Sequence, residues 1–92
     1  MPQSGKAIQA AVLAYCASRD DIAAYNIVAA SVRGVPDVLA CVRGRFVAVE
    51  VKGRGDTLKP IQAAQIERIK AAGGRAFVVE SVQEFKEIIN EV

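Results

Sequence analysis

Three residues in the middle of the chain carry side chains that could do chemistry together. Asp37 follows Pro36, and Glu50 and Lys52 lie one residue apart further along the chain. Two carboxylates can hold a divalent cation, and an amine beside them can move a proton or offset negative charge. The segment between Asp37 and Glu50 is mostly apolar, so its fold decides whether these groups meet.

That apolar segment is typical of a β-hairpin. Strands are predicted over 37–42 and 45–51, with a tight turn at Arg43-Gly44, because glycine tolerates positive φ. Counting back from this turn places Asp37 opposite Glu50. Directly opposed residues on antiparallel strands have Cβ atoms about 5 Å apart, and like charges there are destabilising. The hairpin therefore predicts an unfavourable carboxylate pair unless something neutralises it.

A bound divalent cation would turn this repulsion into attraction. Mg²⁺ favours one or two carboxylates, with water and phosphate oxygens completing its octahedron. Lys52 lies on the same face as Glu50, where its amine could position or deprotonate a water or offset charge on a phosphate. The prediction depends on register, since a turn longer by one residue would separate the carboxylates. The alternative is an exposed Glu50–Lys52 pair on an edge strand, with Asp37 as a turn residue.

The composition narrows the possible chemistry. The 92 residues suffice for one domain, 1–92, whose small core would gain from dimerisation. Histidine is absent, which excludes Ser-His-Asp and Cys-His nucleophiles and leaves oxygen as the metal ligand. The two cysteines, Cys16 and Cys41, form neither a disulfide framework nor a zinc site and indicate a reducing compartment. Without a long apolar run or signal-peptide core, we predict a cytoplasmic protein with no membrane partner.

The remaining elements complete an α/β protein. We predict a first helix over 5–19 capped by Ser4, followed by strands over 22–30, 37–42 and 45–51. A second helix over 58–72, with Thr57 as a possible cap, leads into a strand over 75–79. A last helix follows the Ser81–Glu84 capping box. The order α-β-β-β-α-β-α predicts an antiparallel meander followed by a parallel strand, because a crossover helix precedes the last strand. Helices would flank this mixed four-stranded sheet in three layers.

Charge is unevenly placed along the chain. Residues 1–79 carry eleven Lys or Arg against six Asp or Glu, whereas residues 80–92 carry one Lys against four Glu. This asymmetry predicts that the C-terminal segment faces away from a polyanionic partner, although ordinary solvated charge is the alternative.

The motif and its context resemble a known nuclease family. Pro36-Asp37 followed by Glu50-Val51-Lys52 resembles the signature of the PD-(D/E)xK superfamily. The segments GVPDVLAC, FVAVEVKGRGDTLKPIQ and IERIKAAGGRAFVV resemble its VRR-NUC branch, in the small stand-alone form found in phages and bacteria. The resemblance extends over about residues 8–89. It implies a restriction-endonuclease-like core and hydrolysis of phosphodiester bonds in DNA, dependent on one or two Mg²⁺ or Mn²⁺ ions.

The resemblance also implies roles for the motif residues. Asp37 and Glu50 would be metal ligands together with the backbone carbonyl of Val51, and Lys52 would be the catalytic amine. Gln62 matches the family's glutamine in the next helix and is a further catalytic candidate. It lies on an apolar helical stripe, where a polar side chain is unexpected, but Gln65 is a rival, and either amide could simply bond backbone.

One feature departs from the resemblance. Related nucleases often supply a carboxylate from the first helix, but residues 1–18 contain no Asp or Glu. Gln9 is the nearby polar candidate there and could orient a water. Gln9, Arg33, Arg54 and Lys59 are candidate DNA contacts, since the three basic residues flank the site in chain order and could meet phosphates. Asp56 is predicted to be a turn or helix-start residue rather than a ligand.

The expected partners follow from the same resemblance. Stand-alone members resemble Holliday junction resolvases that act as homodimers on branched DNA, and two sites related by a two-fold axis suit the symmetric cleavage of a junction. The alternatives are a flap-type nuclease, a non-catalytic or partner-dependent DNA-binding module, and a structural oligomerisation domain.

Overall fold

The protein is described by a computed structural model that covers residues 3–92. The elements of this range, in chain order, are α1 (Gly5–Ala17), β1 (Ile22–Asn26), β2 (Val38–Val42), β3 (Arg45–Val51), α2 (Pro60–Ala71), β4 (Arg75–Val79) and α3 (Val82–Ile89). The predicted order α-β-β-β-α-β-α is confirmed. Within residues 3–92 each helix is too short or too polar to span a bilayer.

The four strands form a mixed sheet in the order β1-β2-β3-β4. β1, β2 and β3 are antiparallel neighbours, and β4 runs parallel to β3 because α2 returns the chain to the starting edge. α1 and α3 pack on one face of the sheet and α2 on the other. The predicted three-layer arrangement is therefore present.

Alternation along the strands divides the interior into two cores. The larger one lies between the sheet and the α1 and α3 layer, and its fully buried side chains include Ile8, Val12, Val38, Val47, Val49, Phe85 and Ile89. The smaller one lies under α2 and contains Ala48, Ile66 and Ala76. Because successive side chains point to opposite faces, Glu50 belongs to the face that α2 covers.

The β2–β3 turn has the backbone of a type I′ hairpin. Arg43 has a φ of 49° and Gly44 a φ of 82°, and both central residues of such a turn need positive φ. An arginine is strained there. Its guanidinium offsets the strain by donating to the Asp21 carboxylate at 2.8 Å and to the Ile89 carbonyl at 2.7 Å, which ties the turn to the end of α3. The hairpin ladder has the predicted register at every pair.

Several predicted boundaries were wrong: α1 ends at Ala17 rather than at residue 19, β2 starts at Val38 rather than at residue 37, and α2 ends at Ala71 rather than at residue 72. β1 ends at Asn26 rather than at residue 30, because Pro36 lacks an N–H and Gly34 turns the backbone, so β2 cannot extend back to pair with it. α2 starts at Pro60 with Lys59 as the N-cap residue, not Thr57. The segment that leaves the sheet, residues 27–37, is called the β1–β2 loop below.

Candidate active site

The hairpin delivers two carboxylates to the same end of the sheet. Asp37 directly precedes β2, and its Oδ2 accepts a hydrogen bond from the Val51 N–H at 2.9 Å. That bond continues the β2–β3 pairing beyond its last ladder pair and places Asp37 next to the end of β3, where Glu50 lies. The ladder ends with Val38 opposite Val49, and the Asp37 carboxylate that follows it lies close enough to Glu50 to act on its pKa.

Glu50 is a buried charge with one unsatisfied oxygen. It is 2 % exposed, and its Oε2 lies 3.4 Å from Lys52 Nζ and accepts from Gln62 Nε2 at 3.3 Å. Its Oε1 is buried and has no hydrogen-bond partner among residues 3–92. Burial and then the negative charge of Asp37 raise the pKa of Glu50 to about 7, while Lys52 acts in the opposite direction. A buried acceptor left unpaired costs about 1–3 kcal/mol, so a hydrogen-bond donor or a cation at this position would stabilise it.

Gln62 links the amine to the carboxylate. Its Oε1 accepts from Lys52 Nζ at 2.9 Å and from the Lys59 N–H at 2.9 Å. The second bond is the reach of an N3 glutamine back to the N-cap, half of a capping box. The start of α2 therefore fixes the amide, and the amide holds Lys52 beside Glu50. Of the two rival glutamines, Gln62 is the one that reaches the carboxylate, and Gln65 follows it on the helix.

Backbone geometry adds a third oxygen to the site. A strand residue directs its N–H and C=O to the same side, and the Val51 N–H is bound to Asp37. The Val51 carbonyl is accordingly directed to the Asp37 side. The Lys52 N–H points the other way and donates to the Val79 carbonyl at 2.9 Å. Two carboxylates, one of which has an unpartnered oxygen, and this carbonyl form a donor set that suits Mg²⁺ or Mn²⁺.

Two carboxylates meet at this position. Within residues 3–92 no three or more Asp, Glu, Cys or His side chains group together so that they could hold a metal ion. Asp56, the nearest other carboxylate in the chain, closes a turn by accepting from the Gly53 N–H at 2.9 Å, and its own N–H donates to the Gly53 carbonyl at 3.1 Å. Asp56 is thus a turn residue, as predicted.

Two glycines allow α1 and α2 to pack close to the motif, and these close contacts were not predicted from the sequence. A Cβ on Gly53 would collide with the backbone of Gly5 at the start of α1. Gly34 has a φ of +82°, and a Cβ there would lie 2.6 Å from the Ile61 carbonyl in the first turn of α2. The signal for both was their place in the chain, one directly after Lys52 and the other two residues before Pro36.

The four predicted DNA contacts are placed differently from one another. Gln9 bonds the side chain of Asn26 in the α1 layer, so it lies on the sheet face opposite to Glu50. Asn26 as its partner was not foreseen. Arg33, Arg54 and Lys59 are exposed, on the β1–β2 loop, on the turn after β3 and at the N-cap of α2. All four roles stay predictions.

Comparison with known proteins places this site in a family. The model of the VRR-NUC domain matches residues 6–83. A solved structure named "VRR_NUC domain" is 23 % identical, with a TM-score of 0.79 over 96 % of this chain and 97 % of that one. Another, named "VRR_NUC domain protein", is 17 % identical with a TM-score of 0.79, over 98 % of this chain and 88 % of that one. No curated protein matches the chain.

The protein has the restriction-endonuclease-like α/β fold, which is a nuclease-type fold. Within it, the chain belongs to the VRR-NUC domain family. The solved structures agree in fold over almost the whole chain despite low identity. The resemblance seen in the motif and its flanking segments is confirmed.

Proposed function

We propose that the protein is a metal-dependent endodeoxyribonuclease that cleaves branched DNA as a homodimer. The observation that carries the proposal is the buried Glu50, whose free Oε1 and raised pKa leave it suited to a cation between it and Asp37. Membership of the VRR-NUC family supports a nuclease in general.

Each residue of the site has a role in this proposal. Asp37, Glu50 and the Val51 carbonyl would hold Mg²⁺ or Mn²⁺, which when bound supplies a Lewis acid and a more acidic water. The Lys52 side chain is largely enclosed, 12 % exposed, so its charge is weakly screened. It would orient the attacking water or offset charge on the phosphate, and Gln62 would keep it there.

The distribution of charge supports DNA as the partner. α3 carries two of the glutamates of the acidic C-terminal segment, and it packs beside α1 on the face opposite to Glu50. Arg33 lies on the β1–β2 loop that packs against α2, Arg54 on the turn directly after Lys52 and Gly53, and Lys59 at the N-cap of α2. A phosphate backbone approaching the α2 face would therefore meet cations and avoid the acidic helix.

A cleavage panel tests the proposal. Four-way junction, flap and linear duplex DNA are each incubated with Mg²⁺, Mn²⁺ or EDTA. We expect cleavage of branched DNA with either ion and none with EDTA, and a loss of about a hundredfold or more in Asp37→Asn and in Lys52→Ala. Circular dichroism and thermal melting confirm that each variant folds. Undiminished cleavage by either folded variant would contradict the assigned site.

The homodimer is tested separately by sedimentation of the protein alone and with junction DNA. A symmetric cut of both strands requires two sites, so we expect a two-fold assembly on the junction. A monomer on the junction that still cuts both strands together would contradict this part of the proposal.

One observation favours a second candidate, a DNA-binding module that cleaves poorly or needs a partner. α1 offers the amide of Gln9, already bonded to Asn26, where related nucleases often place a carboxylate. Junction binding without cleavage under any divalent ion would favour this candidate. A preference for flap over junction substrates would instead identify a flap-type nuclease.

A further inference from the structure

The β1–β2 loop, whose two ends contact Asp37 and the first turn of α2, exposes apolar side chains. Val28 is 89 % exposed and Val32 52 % exposed, although valine is among the residue types most often buried. The stretch from Ile22 to Pro36 contains no Asp or Glu and one basic residue, Arg33. An exposed apolar loop free of negative charge can approach a polyanion without repulsion.

The loop is held at both ends by the site itself. At its start, the Ile27 N–H donates to the Asp37 carbonyl at 2.8 Å. Near its end, Gly34 packs against the Ile61 carbonyl, one residue before Gln62. Val28 and Val32 therefore lie on a short segment anchored to a metal-ligand residue and to the helix turn that positions Lys52.

Aliphatic side chains suit one feature of DNA, an unstacked base-pair face. A continuous duplex presents phosphates and base edges, while the faces of its base pairs are covered by stacking. Where the arms of a branch point unstack, a base-pair face is open to an apolar group. Apolar wedges are the usual protein groups at unstacked steps. Valine loses little rotamer freedom in such a contact because its χ1 is already restricted.

We propose that the β1–β2 loop is a branch-point wedge, in which Val28 and Val32 pack against the open base-pair face of branched DNA and set the scissile phosphate at the site. This inference deepens the proposed function and rests on it for the identity of the ligand. It assigns branch selectivity to two aliphatic side chains outside the Asp37, Glu50 and Lys52 motif.

The test replaces both valines by a residue of nearly the same shape. Val28→Thr with Val32→Thr removes apolar character but keeps the branched side chain, and both positions are exposed, so the fold should be retained. The parent is Asp37→Asn, which prevents cleavage during binding. Anisotropy is measured with a four-way junction and with a linear duplex of the same sequence. A second junction carries 2-aminopurine at the branch point, whose emission reports stacking.

We expect the double variant to bind the junction about tenfold more weakly, the effect of losing two partly buried apolar contacts, and to bind linear duplex unchanged. We also expect it to lose the 2-aminopurine response of the parent. The matched control is Phe46→Thr, since Phe46 is 50 % exposed but lies at the turn end of the hairpin, away from Asp37. The control should keep the parent's junction affinity and response.

The outcomes separate this inference from the nuclease proposal. If the natural protein cleaves no DNA but the double variant alone loses junction affinity and the fluorescence response, the wedge stands and the nuclease proposal fails. If junction affinity and response are unchanged in the double variant, the wedge is wrong and the valines serve another contact, such as a second copy of the chain. An equal loss in Phe46→Thr, or a parent without junction preference, also overturns it.

Discussion

Glu50 is the residue at which the proposed chemistry costs the fold stability. It is buried beside another carboxylate, and one of its oxygens has no hydrogen-bond partner among residues 3–92. Lys52 and Gln62 satisfy only its other oxygen. Such an arrangement destabilises the fold without a cation and is retained when the site needs the charge.

The raised pKa of Glu50 predicts how stability depends on pH without metal. Its folded pKa of about 7 exceeds the ordinary value of 4.5, so the folded state keeps a proton that the unfolded state has lost between these values. The stabilising contribution of the neutral form is present below pH 4.5 and is lost as the pH rises to about 7. Above that range the contribution no longer changes.

Glu50→Gln should remove this dependence. At pH 8 in EDTA we expect the free energy of unfolding to rise by about 2–3 kcal/mol, with little change at pH 4.5. Urea denaturation at both pH values measures it. Glu67→Gln is the control, since the Glu67 side chain is 73 % exposed and should have no such effect. Parallel pH profiles for natural protein and Glu50→Gln would rule out a neutral Glu50 in the folded state.

Gln62 predicts a separable effect on catalysis. Gln62→Ala removes the bond that holds Lys52 Nζ and half of the α2 cap. We expect the cleavage rate to fall by about ten- to a hundredfold, because a small displacement of the amine is costly, and the stability to fall by about 1 kcal/mol. Gln65→Ala on the same helix is the matched control. Equal losses in both variants would show that the helix, and not this amide, matters.

Among the elements, the turn after β3 decides how α1 meets the site. Gly53 follows Lys52 directly, and its missing side chain is what allows the start of α1 to pack against it. Asp56 holds the Gly53 N–H, so the turn has little freedom to move away. The position of the amine thus depends on a close contact between two backbones.

Gly53→Ala should therefore be costly. The added methyl collides with the backbone of Gly5, which cannot rotate aside as a flexible side chain would, and we expect a loss of about 2–3 kcal/mol of stability. Gly55 in the same turn is the comparison, since it has a φ of +85° but no neighbour within 4 Å. Gly55→Ala should lose only the conformational part, about 1 kcal/mol. Thermal and urea unfolding measure both, and equal losses would contradict the close packing.

The β2–β3 hairpin is the element that makes the motif possible. Arg43 occupies a left-handed position that glycine or asparagine would fill more easily, and its guanidinium binds Asp21 and the end of α3 in return. The turn is therefore coupled to the C-terminal helix on the far side of the sheet. That coupling keeps the turn at two residues, and the two-residue turn keeps Asp37 beside Glu50.

At the scale of the whole molecule, charge separates the two faces. α3, with its glutamates, lies with α1, while the candidate phosphate contacts lie on the segments around the site. A small domain with this asymmetry presents one face to a polyanion. Recognition of DNA would then rest on backbone and shape, with the β1–β2 loop reading the branch.

The salt dependence of junction binding tests this orientation. Replacing Arg33, Arg54 or Lys59 singly by alanine should reduce the slope of log K against log salt by about one, since each loses one phosphate contact. Lys86→Ala on α3 should leave the slope unchanged. Anisotropy titrations at several salt concentrations measure it. An equal reduction of the slope in Lys86→Ala would show that DNA also contacts the α3 face, which would contradict the proposed orientation.

The local parts of this protein could be predicted from the sequence. The hairpin register from Val38 to Val49 depends on a two-residue turn and on strand alternation, both of which are properties of consecutive residues, so it could be counted from the turn. The order of elements and the Ser81 cap are local in the same sense: the Ser81 hydroxyl accepts from the Glu84 N–H at 3.0 Å. The other half of the predicted capping box differs, since the Glu84 carboxylate accepts from the Glu80 N–H at 2.9 Å and not from the Ser81 N–H.

The rest was decided by contacts between residues far apart in the chain. The apolar run after Asn26 predicted a longer β1. A strand needs a partner, however, and β2 starts only after Gly34 and Pro36, so β1 has nothing to pair with beyond Asn26. Helical spacing alone left both Gln62 and Gln65 as candidates, and the packing of α2 against the sheet shows that Gln62 contacts Glu50. The depth at which Glu50 is buried, and hence its raised pKa, depends on three layers closing around it. Burial and pairing are sums over the whole fold, which no local stretch of sequence contains.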